Sequence, residues 1–351
     1  MIPPEANPDL YGHEAAERAM LRAWQGGRLP PAWLLRGPRG VGKATLAYRF
    51  ARRLLAGADH ERAASDPDHP VFRMVRHKAH PDLRILERVP NPKTGRLPRD
   101  IPVDDVRAAD GALHATSARD GYKILLVDPA DELNPSGTNA LLKLLEEPPP
   151  RTVLLLTCQR PGLLPRTIQS RCLQVTLAPL APAELAGALA RLAPALPHER
   201  LAVLAALAEG SPGRALQLDA GDWPGRYAGL LPKLAQARAS MLARLDLAAE
   251  LAKGSDGQGF RATADLLAVT VRRIATLRAG GALGVELFPG EFALLDPLAQ
   301  GLGLDQWVAV WDKLSALAGQ VDRLNLDPVQ ASLQVLQAIC GAAPETELSL
   351  A

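Results

Sequence analysis

Cysteine is scarce in this chain of 351 residues: Cys158, Cys172 and Cys340 stand far apart, with no Cys-x-x-Cys pair. That spacing excludes a zinc site built from sequence-local thiolates and provides no disulfide framework, so a reducing compartment is expected. No run of eighteen apolar residues occurs, and no basic leader with an apolar stretch and cleavage site is seen. No membrane partner is therefore expected, and the expected location is cytoplasmic. Charge of one sign is lacking too. Forty Lys and Arg against 38 Asp and Glu leave +2, so nothing announces a nucleic-acid binder of the basic-patch kind. Aromatic residues make up only 4%.

Ala, Leu, Pro and Arg are abundant instead, which suits Ala/Leu-rich helices joined by proline-marked turns. The length favours two or three domains. In the first half, strand-like apolar runs at Ala32–Arg36, Leu83–Leu86, Lys123–Asp128 and Val153–Thr157 alternate with helical patterns. This alternation predicts an α/β fold with a parallel sheet and helical crossovers, which Leu173–Leu177 would close. From Ala183 onward the periodicity is helical. Trp307, Val310, Trp311, Leu314 and Leu317 predict one buried helix face, and Leu266, Val269, Ile274 and Leu277 approximate another. Gly- and Pro-rich breaks at Gly210–Gly213 and Gly221–Gly225 border a small middle domain. The expected organisation is thus a nucleotide-binding domain over 1–178, a helical lid over 179–221 and an all-α carboxyl-terminal domain over 222–351. The polar stretch Gly57–Pro81 reads as an insertion.

The run Ala32–Arg36 leads straight into Gly37, Pro38, Arg39, Gly40, Val41, Gly42 and Lys43, after which Ala44, Thr45 and Leu46 open a helical pattern. Strand, Gly-rich loop, lysine and helix are the context of a Walker A phosphate loop. Glycines let backbone N–H groups approach phosphate oxygens, and the lysine reaches the outer phosphates. A Gly-rich turn with no ligand is the plainer alternative, which the full spacing disfavours. The position after the lysine needs a hydroxyl for Mg²⁺, and here it is Ala44. Thr45 sits about 100° further round the helix and does not replace it. Asp128 ends its strand where a Walker B aspartate would stand beside the loop. The next residue, where a hydrolysing site carries a water-polarising glutamate, is Pro129; Asp131 and Glu132 fall in the following turn.

Further on, the block Asn139-Ala-Leu-Leu-Lys-Leu-Leu-Glu-Glu-Pro-Pro149 precedes a strand ending at Thr157, and thirteen residues later comes Ser170-Arg171-Cys172. This pairing resembles the AAA+ family of bacterial DNA polymerase III clamp-loader subunits, relatives of the eukaryotic replication factor C proteins. Within the family it is most similar to the delta-prime type, which keeps the Ser-Arg-Cys arginine while its own site decays. The gamma and tau motors carry the phosphate-loop Thr and the Asp-Glu pair that are broken here. Segments Asn7–Glu14, Gly210–Arg214 and Asn325–Pro328 resemble the adenine-side segment, the lid's sensor-2 position and a collar motif. The resemblance is strong from Ala32 to Val175 and weak after Gly225.

The resemblance implies a RecA-like domain, a lid and an oligomerising collar in a five-subunit ring with gamma/tau and delta subunits. That ring loads a sliding clamp on primed DNA, touching DNA where phosphates meet helix N-termini. It assigns Arg171 as a finger acting in trans on a neighbour's ATP. Nucleotide, weakly held or vestigial if bound at all, would meet Leu10, Tyr11, Gly37, Pro38, Gly40, Val41, Gly42, Lys43, Ala44, Thr45, Asp128, Thr157 and Arg214. Many relatives carry a four-cysteine zinc module. Here the corresponding stretch has His60, His69, His77 and His80, at spacings of nine, eight and three that match no usual ligand pattern, so no zinc is expected. Two other readings are an ATP-hydrolysing gamma/tau-type motor, which needs the missing hydroxyl and base, and an unrelated P-loop kinase or helicase, which needs neither motif. Steady-state ATPase measured on the isolated chain should be negligible. Turnover on the order of 1 s⁻¹ or faster, abolished by Lys43→Ala, would overturn this.

Overall fold

The apolar runs of the first half pair side by side in the computed structural model, which describes residues 2–90, 95, 97–98, 100–114, 121–253, 259–324 and 326–341. Strands β1 (Ala32–Arg36), β2 (Leu83–Leu86), β3 (Lys123–Val127), β4 (Thr152–Cys158) and β5 (Leu173–Thr176) form one parallel sheet in the order β2-β3-β4-β1-β5. This is the RecA-like α/β arrangement expected of the first half. All of β4 is buried, as are four of five residues in β1 and in β3, because helices cover both faces of a parallel sheet. Alternate residues face opposite sides. Trp33, Leu35, Ile124, Leu126 and Leu155 join one core cluster with Leu46 and Phe50. Leu34, Leu125, Val127, Leu154 and Leu156 join the other with Val106, Leu141 and Leu144. Edge strand β5 is largely exposed.

Eight helices accompany the sheet among the described residues: α1 (Glu14–Gln25), α2 (Lys43–Ala56), α3 (His60–Ser65), α4 (Pro70–Arg76), α5 (Val103–His114), α6 (Pro135–Glu146), α7 (Arg166–Gln169) and α8 (Pro182–Leu192). The stretch Gly57–Pro81, read as an insertion, is folded into the unit as two short helices. Its helices α3 and α4 bury Ala63, Ala64, Val71, Phe72 and Val75, and the Arg52 guanidinium lies 4.0 Å above the Phe72 ring. Its few apolar residues recur at helical spacing, which the low average hydropathy of the segment hides.

The histidines there serve local structure. His69 Nδ1 accepts from the Val71 N–H at 3.2 Å, capping α4, while Nε2 lies 3.0 Å from Asp59. His80 Nδ1 accepts from the Asp82 N–H at 3.2 Å. His60 packs edge-on to Trp24 with centroids 5.2 Å apart, and His77 is exposed at the end of α4. Among the described residues, no group of His, Cys, Asp and Glu is arranged to hold a metal ion.

Two compact units emerge from the internal contacts: residues 1–194 with 208–216, and residues 195–207 with 217–351. The remaining helices are α9 (His198–Ala208), α10 (Pro212–Ala220), α11 (Trp223–Ala239), α12 (Met241–Lys253), α13 (Gly259–Arg278), α14 (Glu291–Gln300), α15 (Leu304–Leu324) and α16 (Pro328–Cys340). In the second unit α13 packs on α15, and α12 on α11 and α16. None of the described helices is long and apolar enough to cross a membrane. Leu266, Val269 and Ile274 are buried, and Leu277 is half-buried. Trp307, Val310, Leu314 and Leu317 are buried as expected, but Trp311 is not: it is 39% exposed, alongside exposed Leu304 and Val308. At about 100° per residue, the four buried side chains centre on one side of Trp307 and Trp311 falls on the other, about 80° from that centre. Of the segment Asn325–Pro328, Asn325 lies outside the described residues, and Asp327 caps α16 by accepting from the Val329 N–H at 3.0 Å.

A carboxylate is wholly buried in this unit. Glu291, the first residue of α14, accepts from Arg273 Nε at 2.6 Å and Nη2 at 2.8 Å, from Tyr227 Oη at 2.7 Å and from the Leu287 N–H at 2.6 Å. Four donors satisfy the carboxylate, and removing one partner strands the other charge in the core. Arg273→Ala is expected to cost about 3–5 kcal/mol, measured as a lowered urea midpoint. A loss below about 1 kcal/mol would mean the site readmits water or another cation.

Candidate functional site

Register brings the candidate residues together. Arg36 pairs with Cys158 and Val127 with Leu156, so the carboxyl ends of β1, β3 and β4 stand side by side, the usual place for a ligand in an open α/β sheet. The phosphate loop leaves β1 with the Gly37 N–H donating to the Cys158 carbonyl at 3.3 Å. Gly40 and Gly42 have φ of +78° and +116°, which favour glycine. Space is restricted as well as conformation. A Cβ on Gly37 would lie 2.3 Å from the Leu177 carbonyl oxygen, and one on Gly40 would lie 2.5 Å from the Arg214 nitrogen. The Gly213 N–H donates to the Gly40 carbonyl at 2.9 Å, so the tip of the loop is pinned to the first turn of α10.

Lys43 opens α2 and is buried, its Nζ donating to the Gly37 carbonyl at 2.8 Å and the Pro38 carbonyl at 2.7 Å. Burial pulls the ammonium down to a pKa of about 8, against the opposing pull of Asp128 and Asp131. Asp128 follows β3 and accepts from Thr157 Oγ1 of β4, which is fully buried. Burial raises the Asp128 carboxyl above its usual range, and the Thr157 hydroxyl and Lys43 act the other way. Ala44 and Thr45 are half-buried in the first turn of α2. Pro129 is buried. In the 3₁₀ turn Ala130–Glu132 that follows, both acids are engaged: Asp131 accepts from the Gln159 N–H at 2.8 Å and Arg160 Nε at 3.3 Å, and Glu132 pairs with Arg88 at 2.5 Å. Neither supplies the base that Pro129 lacks.

On the amino-terminal side, Leu10 packs partly buried against the core, and Leu10 Cδ1 would stand 4.0 Å from a Gly42 Cβ. The Tyr11 hydroxyl donates to Asp9 at 3.3 Å. His13, to which sequence reasoning gave no role, places Nε2 2.9 Å from the carbonyl of buried Val41, and burial lowers its pKa. Arg214 reaches the loop through its backbone, while its Nη1 donates to Glu209 at 2.9 Å. The glycines and the lysine fit a phosphate. The position after Lys43 is Ala44, with no hydroxyl to ligate Mg²⁺, and the residue after Asp128 is Pro129, with no side-chain base.

Arg171 belongs to a different part of the unit, between α7 and edge strand β5. Its Nη2 lies 2.7 Å from Glu146 Oε1 at the end of α6, and its Nη1 donates to the Thr167 carbonyl at 3.0 Å. The Ser170 hydroxyl donates to the same carbonyl at 3.2 Å, and Cys172 is buried in the core. Gln169 knits the preceding loop, its amide donating to the Pro161 carbonyl at 2.9 Å and the Leu164 carbonyl at 2.8 Å. Glu146 was legible as a letter of its motif but not as a partner of the arginine, and Gln169 was not singled out.

A family model described as DNA polymerase III, delta subunit, matches residues 12–181. DNA polymerase III subunit delta' of Pseudomonas aeruginosa is 39% identical over 168 residues, 47% of this chain and 48% of that protein. Subunit delta' of Escherichia coli is 31% identical over 208 residues, 59% of this chain and 60% of that protein. Subunit tau of Escherichia coli is 32% identical over 180 residues, 50% of this chain and 26% of that protein. The match thus spans about half the length of the delta' relatives. On that model and these relatives, the stretch from residue 12 to residue 181, which holds the phosphate loop, Asp128 and Arg171, belongs to the family of DNA polymerase III delta-type subunits.

Proposed function

We propose that the chain is a delta-prime-type member of a clamp-loader ring, a subunit that does not hydrolyse ATP itself and lends Arg171 to the ATP site of an adjacent gamma/tau-type motor. Its partners are the motor and delta subunits, and through the ring the sliding clamp and primed DNA. Residues 222–351 act as the collar that joins the ring, and 179–221 as the lid.

One contrast carries the reading: the chain's own site is short of both groups that hydrolysis needs, while its arginine stands half-exposed on a loop braced by other residues. A guanidinium set against developing phosphate charge stabilises phosphoryl transfer and is worth about 10³ to 10⁵ in rate. The hydrogen bond from Gly213 to Gly40 supports a rigid role, since a loop tied to α10 is poorly placed to open for nucleotide. Nucleotide, if it binds, does so weakly through the loop amides. A motor reading draws on the likeness to tau, and the ATPase of the isolated chain decides against it or for it.

Arg171→Ala is expected to leave folding and assembly intact, because the half-exposed pair with Glu146 is worth about 1 kcal/mol or less. Turnover at the one ring site facing it should fall about 10³-fold or more, roughly 4 kcal/mol of barrier, partly masked by the other sites. Lysine should rescue poorly, since it keeps the charge and loses the planar fork. The measurement is DNA- and clamp-stimulated ATPase of reconstituted rings, with assembly checked by gel filtration. Unchanged turnover in a fully assembled variant would remove the reading.

A further inference from the structure

We propose that Glu146 is a positioning residue for Arg171, holding its guanidinium in the orientation in which it meets a neighbour's phosphates; this rests on the finger reading above. The two sequence motifs that carry the family resemblance are joined here by a side-chain contact. Glu146 closes α6, and its Oε1 lies 2.7 Å from Arg171 Nη2, a short charge-assisted contact. The Thr167 carbonyl takes a hydrogen from Nη1 at 3.0 Å. A guanidinium has five N–H groups; one donates to the Thr167 carbonyl and Nη2 faces Glu146, which leaves others for a phosphate.

Both supports are tied into the fold. Helix α6 is capped at its start, where the Asn134 side chain accepts from the Gly137 N–H at 2.7 Å, and it buries Thr138, Leu141, Leu144 and Leu145. Thr167 lies in α7, whose Gln169 amide is tied to two carbonyls of the preceding loop. An ion pair with side chains 38% and 51% exposed adds little to stability. What it does is restrict a side chain that would otherwise sample many rotamers, and an arginine already held in place loses less freedom when it meets the phosphate.

The test uses rings reconstituted from this full chain and its motor and delta subunits, with the motor sites that do not face this chain silenced by substitution of their phosphate-loop lysines. The readout is kcat and KM for Mg²⁺·ATP. Glu146→Ala is expected to lower kcat on the order of tenfold, with KM for ATP changing less than about twofold. Glu146→Gln keeps an acceptor for the guanidinium and should restore most of the rate, whereas Glu147→Ala, the same charge change one residue on, should leave it as in the unaltered ring. In an Arg171→Ala background, Glu146→Ala should add no further loss. Thermal unfolding and gel filtration check that each variant folds and assembles; if Glu146→Ala fails either, Glu146→Lys takes its place, with the same loss expected.

The outcomes separate the two claims. If Arg171→Ala itself leaves turnover unchanged, the finger reading falls and this inference with it. If Arg171→Ala slows the ring and Glu146→Ala does not, or speeds it, the positioning role is overturned and the finger stands. A loss on Glu146→Ala that persists in the Arg171→Ala background also overturns it, because Glu146 would then act on something else.

Discussion

The candidate site depends on the register of β4. This strand lies between β3 and β1 and pairs with both, so a single alignment sets Thr157 beside Asp128 and Cys158 beside Arg36. A slip of one residue would turn its buried side chains to the opposite face. All seven of its residues are buried, with Leu155 in one core cluster and Leu154 and Leu156 in the other. The packing on both faces therefore holds the register, and the register holds the site. The phosphate loop inherits its starting point from the same strand, through the hydrogen bond from Gly37 to Cys158.

Within that frame, the loop's glycines have reasons to be glycine that involve no nucleotide. Gly37 is crowded by the Leu177 carbonyl and Gly40 by the Arg214 nitrogen, each of which a methyl group would meet at 2.3 and 2.5 Å. A loop of this composition is thus compatible with a site that holds its shape without nucleotide. Lys43 is different. An ammonium buried among carbonyls, its pKa drawn down to about 8, carries a desolvation cost that only two hydrogen bonds and two nearby carboxylates offset. Packing explains Gly37 and Gly40, backbone conformation explains Gly42, and neither explains the lysine more than in part.

The parallel sheet was legible because strands buried on both faces read as short apolar runs, and all five appear within a residue of their expected ends. The Gly-rich turn between β1 and α2 was legible because its glycines meet a backbone requirement, with positive φ at Gly40 and Gly42. What sequence reasoning missed depended on contacts between residues distant in the chain: the His13 ring on the Val41 carbonyl, the Gly213 N–H on the Gly40 carbonyl, and Glu146 on Arg171. Each of these residues stood inside a motif already singled out, but nothing in the motif says which atom meets which. Trp311 was misread for a related reason. Spacing of three and four is shared by two overlapping stripes on α15, and only packing decides which of them a residue at the boundary joins.

Burial divides the two ends of this unit by what fixes them. Lys43, Thr157 and the strand ends around them lie inside the fold, so their placement follows from packing that the domain needs in any case. Arg171 has no such obligation. Its guanidinium contributes little to the core, and an alanine there would leave Cys172 buried and the Gln169 hydrogen bonds in place. Yet its side chain is held by two contacts from two separately braced elements, α6 and α7. Holding a solvent-exposed arginine in one geometry costs side-chain entropy without a matching gain in stability. Such an arrangement is expected where orientation itself is used, by a partner whose charge meets the guanidinium from outside the chain.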